Sequence, residues 1–156
     1  MEMDWADNQI INTLQENART SLDQLAHITG LSSATVQRRV KALRDSDVIL
    51  REIAVIDPSK VGQRMSFVIM VELERERPDQ IDIFVRRAMK DRQVQQCYYV
   101  TGEADFCLIC TAKDMEDFEK LTHRLFFEDS NVRRFRTSVV MGRKKVGLGV
   151  FLDDER

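Results

Sequence analysis

Between residues 24 and 44 the chain has no acidic side chain, although Asp and Glu supply 26 of its 156 residues. A segment stripped of acid is free to face a polyanion, because only the contacting surface has to be positive. A run of about 18–20 apolar residues, the length of a membrane span, is also missing, so no membrane partner is expected. The acidic start Met1-Glu2-Met3-Asp4 does not read as a signal peptide. Cysteines are few and odd in number: Cys97, Cys107 and Cys110. The gap in Cys107-Leu-Ile-Cys110 is that of a metal or redox pair, yet no second pair or His cluster follows and the surrounding run is apolar. Buried structural thiols, no metal and a reducing, cytoplasmic setting are expected. Paired carboxylates, a Ser-His-Asp set and a Gly-rich phosphate loop are absent too. The two histidines, His27 and His123, fall in separate predicted helices, so no catalysis and no cofactor are expected.

What is present is an ordinary globular composition, 43% hydrophobic and 32% charged, with a net charge of −2. That balance gives no global attraction to nucleic acid, so any such binding must be local. Asp4 predicts the cap of a helix with Ile10, Ile11 and Leu14 on one face, and Asp7 suits its positive end. Ser21 and Gln24 have the spacing of a capping box that opens a second helix with Leu22, Leu25 and Ala26 on its apolar side. Gly30 reads as its left-handed end, Leu31 as a core plug, and Ser32 as the cap of a third helix. There Val36, Val40 and Leu43 form the buried stripe, leaving Ser33, Thr35, Gln37, Arg38 and Lys41 for a partner. Two short helices around a Gly-bearing turn, the second one basic, predict a helix-turn-helix that reads double-stranded DNA. Arg39, beside the stripe, fits an ion pair beneath the helix or a phosphate contact equally well.

The remainder predicts a second module. Ile53, Val55 and Ile56 suggest a short linker strand before Asp57-Pro58. Strands are expected over 67–73, 94–101, 106–112 and 132–141. A helix opened by Asp79 or Asp82 carries Ile83, Phe84 and Met89. Another, opened by Asp114, carries Phe118, Leu121, Leu125 and Phe126. This βαββαβ order is ferredoxin-like, with a tail strand over 146–152, so the fold class is α+β. The domains are expected at 1–50, the linker at 51–64 and the sheet domain at 65–156. Residues 67–71 and 106–110 are apolar on both alternating faces, and two helices cover one face only. A second copy of the sheet is the expected cover, giving a homodimer.

With both modules placed, the chain resembles the Lrp/AsnC family of transcription regulators. Met3-Asp4-x-x-Asp7-x-x-Ile10-Ile11 is similar to the family's opening Leu-Asp-x-x-Asp-x-x-Ile-Leu. Arg19-x-Ser21-x-x-Gln24-Leu25-Ala26, Leu31-Ser32 and Arg39-Val40-x-x-Leu43 follow its helix-turn-helix line. Val48-Ile49, Asp57-Pro58 and Val61-Gly62 match its linker, Val100-Thr101-Gly102-x-x-Asp105 its effector-domain turn, and Thr137 with Lys145 its closing strand. Two positions depart: Asp47 stands where the family has Gly, and Ala104 where it often has an aromatic. The resemblance implies a DNA-binding dimer that assembles further, commonly to an octamer, with an amino-acid effector near Thr101, Gly102, Glu103, Ala104 and Asp105. Gly102 would admit a ligand to the backbone and Asp105 would accept from an α-ammonium. Two alternatives stay open: a regulator of this fold with no small effector, and a ligand-binding oligomerisation module that does not bind DNA.

Overall fold

Three helices, each started by a side-chain cap, build the first of two units in the computed structural model, which describes residues 3–128 and 131–153. Met1 and Glu2 of the acidic start lie outside the described residues. Contacts group Met1–Ala54 with Lys145–Arg156, and Val55–Lys144 separately. Helix α1 spans Trp5–Glu16, α2 Leu22–Thr29 and α3 Ser33–Asp45. Asp4 and Asp7 form a reciprocal capping box on α1, and Ser21 and Gln24 form the expected one on α2. Gly30, at φ 71, ends α2 in the left-handed conformation, and Ser32 caps α3 through the Thr35 amide. Asp47 is at φ 57, so it adopts the left-handed turn after α3 that a glycine would enter without strain.

The core of this unit is Ile10, Ile11, Leu25, Val36, Val40 and Leu43, with Leu14, Ala26, Leu31 and Leu152 packed against it. Leu22 departs from the expected apolar side of α2; it is exposed on the rim of a groove. Residues 146–152 do not form the expected tail strand. Val150, Leu152 and Asp153 run beside α1 instead, where side-chain amides take the place of a neighbouring strand. Asn12 Nδ2 donates to Leu152 O at 2.9 Å and Asn12 Oδ1 accepts from Leu152 N at 3.1 Å. Gln15 repeats the exchange with Val150 at 2.7 and 2.6 Å, and Asn8 donates to Asp153 O.

The second unit opens on a 3-10 turn, Pro58–Val61, whose start is held by Asp57 accepting from Ser59 N. The linker strand expected at Ile53, Val55 and Ile56 does not form: residues 51–57 carry no strand pairing. Strand β1 is Met65–Leu73, β2 Val94–Tyr99, β3 Phe106–Ala112 and β4 Val132–Val139; α4 is Pro78–Lys90 and α5 Met115–Thr122. The sheet is antiparallel in the order β2-β3-β1-β4, the ferredoxin-like arrangement. Helix α4 starts at Pro78, with Arg77 at the cap position, rather than at Asp79 or Asp82.

One sheet face is the core. Phe67, Ile69 and Val71 face Cys110, Leu108 and Phe106 in register, beneath Phe84, Ala88, Phe118, Leu121 and Phe126. Phe67 stacks on Phe118 at 3.8 Å between ring centroids. On the other face Val68 pairs with Ile109 and Met70 with Cys107, and all four are only half-buried. Cys107 and Cys110 therefore point to opposite faces, so their spacing does not make them a pair; of the thiols expected to be buried, Cys110 is, whereas Cys97 and Cys107 are half-buried. Burial pushes the Cys110 thiol up to about 12, so it stays protonated.

Candidate nucleic-acid interface and effector turn

Val36, Val40 and Leu43 are buried, and this fixes which side of α3 meets solvent. The outward stripe is Ala34, Gln37, Arg38 and Lys41, spaced three and four apart. Ala34 offers no polar group to mark it in the sequence, and its place one turn before Arg38 is what puts it on the stripe. Ser33 and Thr35 are half-buried and already engaged. Ser33 Oγ donates to Asp23 Oδ1 at 2.6 Å, and Thr35 Oγ1 lies 2.9 Å from Ser32 Oγ. These two hydroxyls tie the start of α3 to α2 and to its own cap.

Three of the four cations of α3 are already paired. Arg39 Nη1 donates to Asp4 Oδ1 and Asp7 Oδ1, each at 2.8 Å, so the ion pair beneath the helix is the arrangement found. Lys41 pairs with Asp45 at 2.5 Å and Arg44 with Glu52 at 2.7 Å, both on the surface. Exposed pairs of this kind contribute about 0.2–1 kcal/mol and exchange readily for a phosphate. Arg38 has no partner among the described residues. A groove of 490 Å³ borders the stripe, lined in part by Thr20, Ser21, Leu22, Gln37, Lys41 and Arg44. It places two hydroxyls at the amino end of α2 beside the cations of α3.

In the second unit, residues 101–103 bend at the surface between β2 and β3, and Gly102 takes φ 116. A Cβ there would meet nothing within 4 Å, so the glycine serves the backbone conformation, and the space above it is open. Ala104 is buried. Asp105 Oδ2 accepts from Leu73 N at 2.6 Å, while its own backbone pairs with Val71 and Val100. The carboxylate expected to be waiting for a ligand thus also finishes the end of β1. Glu103 reaches Arg136 at 3.5 Å, and Arg136 with Arg134 holds Glu72 at 3.3 and 2.7 Å. The Arg134 hydrogen bond, foremost, holds the Glu72 carboxyl below its ordinary value. One end of the turn is therefore wired to β1 and β4 by charge.

Comparison with known proteins brings these two units together. Residues 3–49 match the model of winged helix-turn-helix DNA-binding domains, and residues 66–149 that of Lrp/AsnC ligand binding domains. An uncharacterized HTH-type transcriptional regulator of Sinorhizobium fredii, y4tD, is 44% identical over 150 residues, 96% of this chain and 89% of that protein. A second HTH-type regulator, from Haemophilus influenzae, is 35% identical over the same shares of the two chains. Among solved structures, a transcriptional regulator of Neisseria meningitidis in complex with L-Met superposes with a TM-score of 0.87 at 26% identity, covering 96% of both chains.

Proposed function

The chain belongs to the Lrp/AsnC family of transcriptional regulators, with a helix-turn-helix DNA-binding domain and a ligand-binding domain, and from that premise we propose that α3 reads operator DNA while the 101–105 turn holds an amino acid. It is a regulator and not an enzyme. The observation that carries the DNA reading is the exposed Arg38, without a partner among the described residues and set on a stripe with Ala34, Gln37 and Lys41 opposite the buried side of α3. A small residue at 34 lets the helix approach base edges, Gln37 and Arg38 offer hydrogen bonds to them, and Lys41 turns from Asp45 to a phosphate. Ser33 and Thr35, engaged at the helix start, orient it, and a backbone phosphate would be met there by donors, the Ser33 amide and the hydroxyl hydrogen that Ser32 and Thr35 do not share. Such a protein works where DNA is, in the cytoplasm. Binding to promoter duplex measured from low to physiological salt tests the reading: affinity must fall steeply. A flat salt response would end it.

The effector reading is supported by the open space above Gly102 and by the relative solved with L-Met. Turn amides would receive the ligand's carboxylate, and Asp105 Oδ1, the oxygen not bonded to Leu73, its ammonium. Glu103 and the buried Ala104 would shape the rim. Calorimetry with the twenty amino acids is the test. A second reading is favoured by one observation: Asp105 is already bonded to the β1 backbone, which suits a turn that is purely structural in a regulator without a small effector. No binding below about millimolar would favour it. The half-buried face of Val68, Met70, Cys107 and Ile109 supports a homodimer joined sheet to sheet, the unit from which a higher oligomer such as an octamer is assembled.

A further inference from the structure

Arg39 differs from the other cations of α3. Lys41 and Arg44 pair with acids four and eight positions away, whereas Arg39 reaches back 32 and 35 positions to Asp7 and Asp4. Those two carboxylates are the capping box of α1. Asp4 Oδ1 accepts from Asp7 N at 3.0 Å and also from Arg39, and Asp7 Oδ2 accepts from Asp4 N at 3.2 Å while its Oδ1 takes Arg39. The same acids that satisfy the orphan amides of α1 thus hold the middle of α3. The Asp7 side chain is 10% exposed and that of Arg39 28%, so the Arg39–Asp7 pair is drier than the surface pairs around it, while Asp4, at 56%, stays open to water.

The apolar stripe of α3 cannot fix the helix by itself. Burial of Val36, Val40 and Leu43 is rewarded by area and is non-directional, so a small rotation about the helix axis costs it little. Two hydrogen bonds from one guanidinium nitrogen to two anchored carboxylates are directional. A residue at 39 is next to Arg38, so a rotation that breaks this cluster swings Arg38 and Gln37 off the outward line. We propose that Arg39 is a positioning residue for DNA recognition: bridged to Asp4 and Asp7, it sets the rotation of α3 and so the aim of Ala34, Gln37 and Arg38. The inference rests on α3 being the recognition helix.

Charge alone and positioning predict opposite results for the acids. Removing negative charge near DNA should tighten binding by charge alone, whereas loosening α3 should weaken it. The variants are Asp4→Asn with Asp7→Asn, which keep side-chain acceptors for the capping box, and Arg39→Lys, which keeps the charge. The probes are a duplex selected from random sequence by the wild-type protein and an unselected duplex. Positioning predicts that both variants lose about ten- to a hundred-fold in affinity for the selected duplex, the fold-change of a lost charge-assisted hydrogen bond. For Arg39→Lys the salt slope and the affinity for the unselected duplex should stay as in wild type; the acid variant should bind the unselected duplex as tightly as wild type or tighter, so that the loss is confined to the selected one. Unchanged or tighter binding of the selected duplex by the acid variant would overturn the proposal. So would an Arg39→Ala variant whose salt slope falls by about one with both duplexes weakened alike, since that marks a phosphate contact. If the acid variant does not fold, as read from Trp5 fluorescence, Arg39→Lys decides alone. Failure of the wild type to select any duplex would instead remove α3 from the recognition role, a different result.

Discussion

Arg38 and Arg39 are adjacent in sequence and opposite in use. Arg38, without a partner among the described residues, faces outward, and Arg39 is spent on two carboxylates. Arg38→Ala should therefore weaken operator binding without destabilising the fold. A guanine contact would show as relaxed preference worth about 1–3 kcal/mol at one base pair per half-site, a phosphate contact as an even loss with a smaller salt slope. Binding isotherms on point-substituted duplexes at several salt concentrations distinguish these, and an unchanged series would clear Arg38 of contact. Asp105 needs a subtler variant. Asp105→Ala would orphan the Leu73 amide and cost the sheet unit about 1–3 kcal/mol, so a lost ligand would prove little. Asp105→Asn keeps an acceptor and removes the charge. Calorimetry on it should show amino-acid binding weakened with the melting temperature nearly intact, and full-strength binding would exclude an ammonium contact at this side chain.

At the scale of elements, the caps of the first unit were legible, whereas the start of α4 at Pro78 and the exposed side of Leu22 were not. Ser21 and Gln24, Gly30 and Ser32 announce α2 and α3 because caps act within four residues, and the spacing of Val36, Val40 and Leu43 marks the buried side. What is far apart in the chain was hidden: nothing near Arg39 betrays Asp4, and nothing near residue 150 betrays Gln15. The tail looks like a strand because Val146, Leu148 and Val150 alternate, but the backbone of Val150 and Leu152 is satisfied by the side chains of Gln15 and Asn12. Gly102 and Asp105 were legible as a turn, and the bond from Asp105 to β1 was not, since its partner is a backbone amide 32 residues away. The tail should matter to the first unit. Replacing Asn12 and Gln15 together by Leu removes four hydrogen bonds and should cost about 1–3 kcal/mol, discounted for exposure. Trp5, the chain's single tryptophan, starts α1 and makes fluorescence the fitting readout. An unshifted melt would mean the strap is ornamental. Acid should loosen the other end of α1. The backbone bond from Asp7, and then the Arg39 guanidinium, hold the Asp4 carboxyl below its ordinary 3.8. A lowered value in the folded state means the contribution is complete above pH 3.8 and fades as pH falls through the lowered value. Asp4→Asn should flatten the acid limb of that titration.

For the whole molecule, a net charge of −2 and a sequence pI of 5.8 mean that attraction to DNA has to come from a local basic surface. A weak local field is multiplied by pairing copies, because two linked half-sites raise the effective concentration of the second contact. The sheet is where pairing should be probed, and the choice of residue decides whether the experiment means anything. Ile69, one of the apolar run in β1, is fully buried under its own helices, so a charge there would unfold the protomer before it could report on assembly. Val68 and Ile109 are neighbours in register on the opposite, half-covered face. Aspartate at either place is hydrated in a lone protomer, and in a sheet-to-sheet dimer it becomes a buried charge without a partner. Val68→Asp and Ile109→Asp should therefore dissociate the assembly while leaving the circular dichroism spectrum unchanged. Selected-duplex affinity should drop with the loss of the second half-site, and the salt slope should shrink as fewer phosphates are contacted per complex. Sedimentation equilibrium gives the answer: a variant that sediments like wild type would show that this face is not the joint.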